Sequence, residues 1–299
     1  MPRSAEQGPE PGLLAAMPAV FVLVWSTGFV VARFGMPHAP PLGFLALRYA
    51  LSVLAFGLWI ALARAAWPRG HAQWAHLGVT GVLMHAGYLG GVWMAVKSGI
   101  GAGTVALVVG LQPVLTALWL SLRGSAHAVE LRQWAGLLLG LCGLVLVVSH
   151  KLGAGEVTLW NLSLGVFALV SITAGTLYQK HFVQPCDVRT ANTVQLTAAL
   201  LVTAPLAWLE HGSWQMHPEL IGAMAWSVLA LTLGGSSLLY LMIQRGAATR
   251  VASLMYLVPP CTAVLAALLF GEALTPNVLA GFAITAVGVW LVVARAASK

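Results

Sequence analysis

The sequence predicts an all-α integral membrane protein in which ten transmembrane helices form two inverted five-helix repeats around a central cavity. Three observations lead to this prediction. The composition is strongly apolar, ten apolar stretches are long enough to cross a bilayer, and the two halves of the 299-residue chain resemble each other.

The composition separates this chain from soluble proteins. Hydrophobic residues make up 59% of it and charged residues only 8%, whereas soluble domains average about 25% charged residues. So few charges could not cover a water-exposed surface, and lipid is therefore the expected solvent. The three cysteines are too few for a disulfide scaffold. The net charge of +7 comes from basic residues scattered singly or in pairs, without a nucleic-acid-binding motif.

A membrane-crossing helix needs about 20 mostly apolar residues. Ten stretches satisfy this requirement, and short segments rich in charged and turn-forming residues separate them. The predicted spans are 13–35, 42–64, 74–96, 102–122, 132–149, 160–180, 190–209, 219–243, 251–270 and 276–295.

The basic residues indicate the orientation. With the N-terminus placed in the cytoplasm, inside segments carry eleven Lys and Arg residues and outside segments carry three. Arg48 lies within a span, and we expect its side chain to reach toward the nearer surface. Cytoplasmic loops of membrane proteins are enriched in basic residues. We therefore predict a multi-pass protein of the bacterial inner membrane with both termini in the cytoplasm.

The two halves resemble each other at an offset of 145–146 residues. Residues 103–106 resemble 249–252, Pro113 matches Pro259, and the glycine pattern of 136–143 recurs at 281–288. Each half contains five spans, so the second half is inverted relative to the first. Inverted repeats are typical of transporters, although a duplicated scaffold would show the same pattern. The predicted units are a cytoplasmic tail 1–12, a first repeat 13–150 and a second repeat 155–299.

The polar residues at membrane depth limit the chemistry. No Asp or Glu lies there, which argues against a carboxylate proton relay. No catalytic set is found, so we predict no catalytic residues and no enzyme. His71 and His76 lack a third ligand, so no metal site is predicted, and we expect no cofactor. His85 sits mid-span, and it either senses protons or bonds to a neighbouring helix.

Prolines interrupt matching spans in the two halves. Gln112-Pro113 lies within the fourth span and Pro259-Pro260 within the ninth. A proline removes a backbone donor, and the freed carbonyl is best tolerated beside a wet cavity. We therefore interpret these breaks as part of a cavity wall, the alternative being kinks that only shape packing. Tyr88, three residues after His85, shares its helix face.

The predicted functional residues follow from these patterns. No residue is predicted to be catalytic or to bind a metal. The helix breaks with a gating role are Pro113, Pro259 and Pro260. The predicted substrate-binding residues are Trp25, His85, Tyr88, Gln112, Ser237, Tyr240 and Tyr256.

Several segments together resemble the drug/metabolite transporter superfamily in its ten-helix EamA-domain branch. The run Gly-Ala-Ala-Thr-Arg-Val-Ala-Ser-Leu at 246–254, Tyr-Leu-Val-Pro at 256–259 and Gly-Glu-Ala-Leu-Thr at 271–275 follow the family pattern. In the first half, Gly124-Ser125 stands where Gly-Glu would follow the fourth helix. The resemblance implies a basket-like bundle whose helices one, three, four, six, eight and nine surround the cavity, with helices five and ten at the periphery.

The resemblance is strongest to bacterial exporters of aromatic and other hydrophobic amino acids. It implies export by alternating access, and the chain contains no ATP-binding loop. A carrier of drugs or other small metabolites is the main alternative, and a membrane-embedded enzyme or receptor is a more distant one. The expected partners are an amino-acid substrate and the lipid bilayer, without nucleic acid, and we expect a monomer.

Overall fold

The computed structural model describes residues 11–122, 131–153, 155–244 and 257–293, and in this part of the chain it contains helices and no strand. Five helices are long and apolar enough to cross a membrane, and five further apolar helices are shorter. Together they reproduce the ten predicted spans. The helices are α1 (Pro11–Gly35), α2 (Pro41–Ala63), α3 (His71–Lys97), α4 (Ala102–Val109 and Gln112–Leu122), α5 (Leu131–Gly153), α6 (Leu159–Phe182), α7 (Val188–Leu209), α8 (Pro218–Trp226, Ser227–Ser236 and Ser237–Gln244), α9 (Val258–Phe270) and α10 (Pro276–Val293).

Local sequence signals begin several of these helices. Pro41 and Pro218 occupy the first turns of α2 and α8, where a missing N–H costs no hydrogen bond. Thr158 and Asn161 form a reciprocal capping box at the start of α6. The Asp187 side chain accepts from the Arg189 N–H at the start of α7.

Large apolar side chains cover the outside of the bundle. Leu54 is 68% exposed, Leu159 84% and Leu268 77%. In water such a surface would drive aggregation, whereas lipid tails accept it without cost. Trp67, in the segment between α2 and α3, stacks at 5.5 Å on Trp74 of α3, as expected for aromatic side chains anchored at the bilayer interface.

Helices α5 and α10 pack against each other through glycines that the repeat relates. A Cβ built at Gly288 would lie 2.6 Å from the Gly136 oxygen, and one built at Gly281 would lie 2.8 Å from the Gly143 oxygen. In the repeat, residue 136 matches 281 and residue 143 matches 288. The contact between residues 136 and 288 is therefore equivalent to the contact between residues 281 and 143. The two helices therefore cross antiparallel, at backbone contact, about the pseudo-two-fold axis of the fold.

Buried and partly exposed charges join the two halves at one end of the bundle, which we call the ionic end. Glu272 pairs with Arg33 of α1 and, at 3.6 Å, with Lys151 of α5. Lys151 also pairs with Glu156 at 2.8 Å. Both carboxylates accept N–H groups at the start of α4, from Gly101 at 3.0 Å and Ala102 at 3.1 Å. Negative charge is favourable there because a helix N-terminus carries a partial positive charge.

Gly271 explains how Glu272 reaches α4. It ends α9 with φ at +66°, a left-handed conformation that glycine adopts readily. The chain therefore turns sharply, and Glu272 folds back over the start of α4.

Candidate functional site

A cavity of about 70 Å³ lies between the two halves. It is smaller than typical small-molecule sites, which measure about 300–1,000 Å³. Residues of α1, α2, α3, α6, α7 and α8 line it: Trp25, Gly28, Phe29, Arg48, Met84, His85, Tyr88, Leu89, Val92, Trp93, Ile172, Gln179, Asn192, Gln195, Leu231, Ser236, Leu239 and Tyr240. Most of this wall is apolar or aromatic, with a small number of polar groups.

The structure brings four of the predicted binding residues, Trp25, His85, Tyr88 and Tyr240, to this one cavity. Trp25 of α1 and Tyr88 of α3 lie beside each other in this wall. The pair forms an aromatic surface that joins α1 to α3.

A π-helical segment, Val82–Gly87, sets the position of His85 in α3. Such segments widen the helix and disturb the regular ladder of backbone hydrogen bonds. The Tyr49 hydroxyl of α2 donates to the His85 carbonyl at 2.9 Å and satisfies it. The His85 side chain lies beside Gln195 of α7. His85 thus faces a neighbouring helix and also lines the cavity, so both interpretations of this residue are compatible with its position.

A second π-helical segment, Ser227–Ser236, changes which face of α8 meets the cavity. The Thr232 hydroxyl donates to the Ser227 carbonyl, five residues back, at 2.8 Å. Ser236 lines the cavity, whereas Ser237 does not, and its buried hydroxyl has no partner among the described residues. The π-helical segment rotates the residues that follow it relative to a regular α-helix. The sequence prediction of Ser237 assumed a regular α-helix and did not include this rotation.

Arg48 is the main difference from the sequence prediction at this site. We expected its side chain to reach the surface, but it is only 5% exposed and lines the cavity. Its Nε and Nη2 both donate to the Thr232 hydroxyl at 3.1 Å. The expectation was wrong because α8 supplies an acceptor at membrane depth, which removes the need to reach the headgroups.

Sequence reasoning also missed Asn192 and Gln195 of α7. Both are 4% exposed and line the cavity. They are three residues apart, so they share one helix face. Two amides on one face of a membrane span are a sequence signal that could have identified α7 as part of the wall.

The described parts of α4 and α9 do not line this cavity, in contrast to the helix set implied by the family resemblance. The two helices pack against each other at their breaks, where a Cβ built at Gly110 would lie 2.7 Å from the Pro259 ring. None of Pro113, Pro259 and Pro260 is among the lining residues. Their mutual packing turns the breaks toward each other, while α2 and α7 complete the wall.

Two further predicted residues differ in their placement. Gln112 is not a lining residue, because its amide donates to the Thr176 hydroxyl of α6 at 3.0 Å. Tyr256 lies outside the described residues. The hydroxyl of Tyr240 contacts Cys186 Sγ at 3.2 Å, which links α8 to the segment before α7.

One group in the described part of the chain has metal-ligating side chains close together, namely His38, His217 and Glu219. The His38 and His217 rings stack at 4.3 Å with an angle of 12°. A metal binds in the plane of an imidazole ring, and two parallel stacked rings do not share such a point. We assign no metal to this group.

Comparison with known proteins places these features in context. The model of the EamA-like transporter family matches the chain twice, over residues 11–149 and 159–294. A Salmonella typhimurium protein named "Probable amino-acid metabolite efflux pump" is 27% identical over 280 residues, covering 90% of this chain and 91% of that protein. An Escherichia coli protein of the same name is 25% identical, covering 94% and 93%.

Other matches agree in fold but carry less information on function. A Bacillus subtilis protein described as the uncharacterized transporter YvbV is 25% identical, covering 93% of this chain and 90% of its own. A solved crystal structure superposes with a TM-score of 0.68 at 18% identity, over 97% of this chain and all of that chain. The latter similarity concerns the fold alone.

Proposed function

Because this chain belongs to the EamA-like transporter family, we propose that it exports amino acids, aromatic and other hydrophobic ones included, from the bacterial cytoplasm. The observation that carries the proposal is a cavity between the two halves with a largely aromatic and apolar wall. Such a wall suits apolar side chains, and a few polar groups suit the ends of an amino acid. The names of the Salmonella and Escherichia relatives support the same substrate class.

Alternating access is the proposed mechanism. Inverted halves have two related arrangements, in which the same central site opens to one side or to the other. The antiparallel glycine contacts of α5 and α10 hold the halves together about their pseudo-axis. The ion pairs of Glu272 stabilise closure at the ionic end. Their breakage is the expected step when that end opens.

Substrate counterflow tests this proposal. Purified protein in liposomes loaded with unlabelled phenylalanine should accumulate labelled phenylalanine transiently, without ATP. Leucine and tryptophan should act in the same way, whereas aspartate and lysine should be poor substrates. Protein-free liposomes and liposomes with the Trp25→Ala variant serve as controls. Absence of counterflow with every amino acid, in protein that elutes as a single species, would refute the proposal and favour another small-metabolite carrier.

A further inference from the structure

Arg48 is a cation held at membrane depth beside the cavity. Its side chain is 5% exposed and extends from α2 toward α8. Burying a charge is costly unless hydrogen bonds and a counter-charge compensate. Thr232 supplies a hydrogen-bond acceptor for Arg48, so the remaining requirement is a negative charge close to the guanidinium.

The described residues satisfy only part of the hydrogen-bonding capacity of the Arg48 guanidinium. Of its five N–H groups, one on Nε and one on Nη2 donate to the Thr232 hydroxyl. The three that remain, on Nη1 and Nη2, have no acceptor among the described residues. These atoms form the end of the fork, whose geometry matches the two oxygens of a carboxylate.

Among the described residues, no acidic side chain completes the site. The lining residues include no Asp or Glu, and every ion pair in the described part of the chain involves other basic residues. Residues 245–256, which precede the described part of α9, contain neither Asp nor Glu. The groups that interact electrostatically with Arg48 are Tyr49, Tyr88 and His85, which carry no negative charge near neutral pH.

We propose that Arg48 binds the carboxylate of the transported solute, so that the cavity selects aromatic and apolar solutes that carry a carboxylate and rejects amines that lack one. This inference rests on the proposed function and specifies its substrate class. The Trp25–Tyr88 surface receives the ring or alkyl group. An ammonium group finds only neutral acceptors, such as the oxygens of Asn192 and Gln195, and is tolerated without being required. A single cation matches a monoanion better than a phosphate dianion.

Ligand binding to the purified full-length protein tests the inference independently of transport. Labelled 3-phenylpropionate is the probe, and phenylalanine, 2-phenylethylamine and phenyl phosphate are competitors. We expect phenylalanine to compete well, and phenylethylamine and phenyl phosphate to require at least tenfold higher concentrations. Arg48→Met should weaken 3-phenylpropionate binding at least tenfold, and Arg48→Lys should weaken it less because the charge remains. Thr232→Val should lie between wild type and Arg48→Met, because it removes the acceptor that orients the guanidinium.

The outcomes separate this inference from the proposed function. Two results would show that the inference is wrong: phenylethylamine competing as well as unlabelled phenylpropionate, or Arg48→Met binding phenylpropionate normally. If phenylalanine shows counterflow in either case, the exporter proposal stands. If phenylpropionate binding depends on Arg48 while no amino acid shows counterflow, the anion site stands and the exporter proposal fails. Absence of phenylpropionate binding to wild type, or stronger binding of phenyl phosphate, overturns the carboxylate assignment. The wild-type competition series decides the matter even if Arg48→Met does not fold.

Discussion

Arg33 of α1 and Glu272 in the loop between α9 and α10 form an ion pair that joins the first half of the chain to the second. Lys151 and Glu272 are each 9% exposed in their side chains, whereas Arg33 is 36% exposed. The buried Lys151–Glu272 pair is therefore screened less by solvent than the pair with Arg33. The matching loop of the first half has Gly124-Ser125 in place of Gly271-Glu272 and lies outside the described residues.

The first prediction concerns this network. Glu272→Gln keeps the size of the side chain but leaves Arg33 and Lys151 without their shared carboxylate. Hydrogen bonds to charged groups contribute about 1.5–3 kcal/mol and neutral ones about 0.5–1.5 kcal/mol. The Ala102 N–H keeps a neutral amide acceptor in this variant, so we expect its exchange to rise roughly five- to tenfold. Hydrogen-exchange mass spectrometry of peptides containing Gly101 and Ala102 measures this. Glu219→Gln, which changes a 47% exposed carboxylate, is the matched control, and equal exchange in both variants would contradict the prediction.

The second prediction concerns the crossing of α5 and α10. A Cβ added at Gly143 would lie 2.5 Å from the Gly281 oxygen, so Gly143→Ala must push the helices apart. Overpacking of this kind costs about 1–3 kcal/mol, and we expect a lower Tm in detergent. Gly57→Ala, where the added Cβ meets nothing within 4 Å, should leave Tm unchanged or slightly raise it. A Tm equal to that of wild type for Gly143→Ala would refute the close crossing.

The third prediction tests the register of α8. In a background without the three native cysteines, Ser236→Cys should react with a small thiol reagent and be protected by substrate. Ser237→Cys should react slowly with or without substrate, because Ser237 is buried and does not line the cavity. The reverse pattern would mean that α8 continues as a regular α-helix through this region.

The fourth prediction concerns orientation. The excess of basic residues in alternate loops predicts that both termini are cytoplasmic. Reporter fusions at Lys299 and within the loop 211–217 should give opposite responses, with the loop outside. An external Lys299 would contradict both the orientation and the even number of spans.

The fifth prediction concerns energetics. His85 is the titratable residue with a near-neutral reference pKa that lines the described cavity. If it binds substrate without carrying a proton, His85→Gln should retain counterflow within about threefold, and an imposed pH gradient should not concentrate phenylalanine in either protein. Accumulation by wild type under a pH gradient alone, abolished in His85→Gln with exchange intact, would identify His85 as a coupling residue.

The ten helices could be predicted from sequence because each depends on local information. Span length and hydropathy decide whether a segment crosses the bilayer, and Pro41, Thr158 and Asp187 begin their helices through contacts within one turn. Trp25, His85, Tyr88 and Tyr240 could be proposed as site residues because aromatic and polar side chains stand out in apolar spans. Gln112 stands out in the same way, yet it bonds to Thr176 of α6, a partner 64 residues away.

Sequence by itself determined the membrane location, the ten spans, the repeat and the absence of acidic residues from their middle parts, since these depend on composition and periodicity. Tertiary structure alone decided which faces of the spans meet. The π-helical turns of α3 and α8 shift the helix register, so that Ser236 rather than Ser237 lines the cavity. Thr232 gives Arg48 an acceptor at depth, and this contact between α2 and α8 keeps a cation in the wall. The energy of a buried charge depends on partners that lie far away along the chain, and only folding brings those partners within hydrogen-bonding distance.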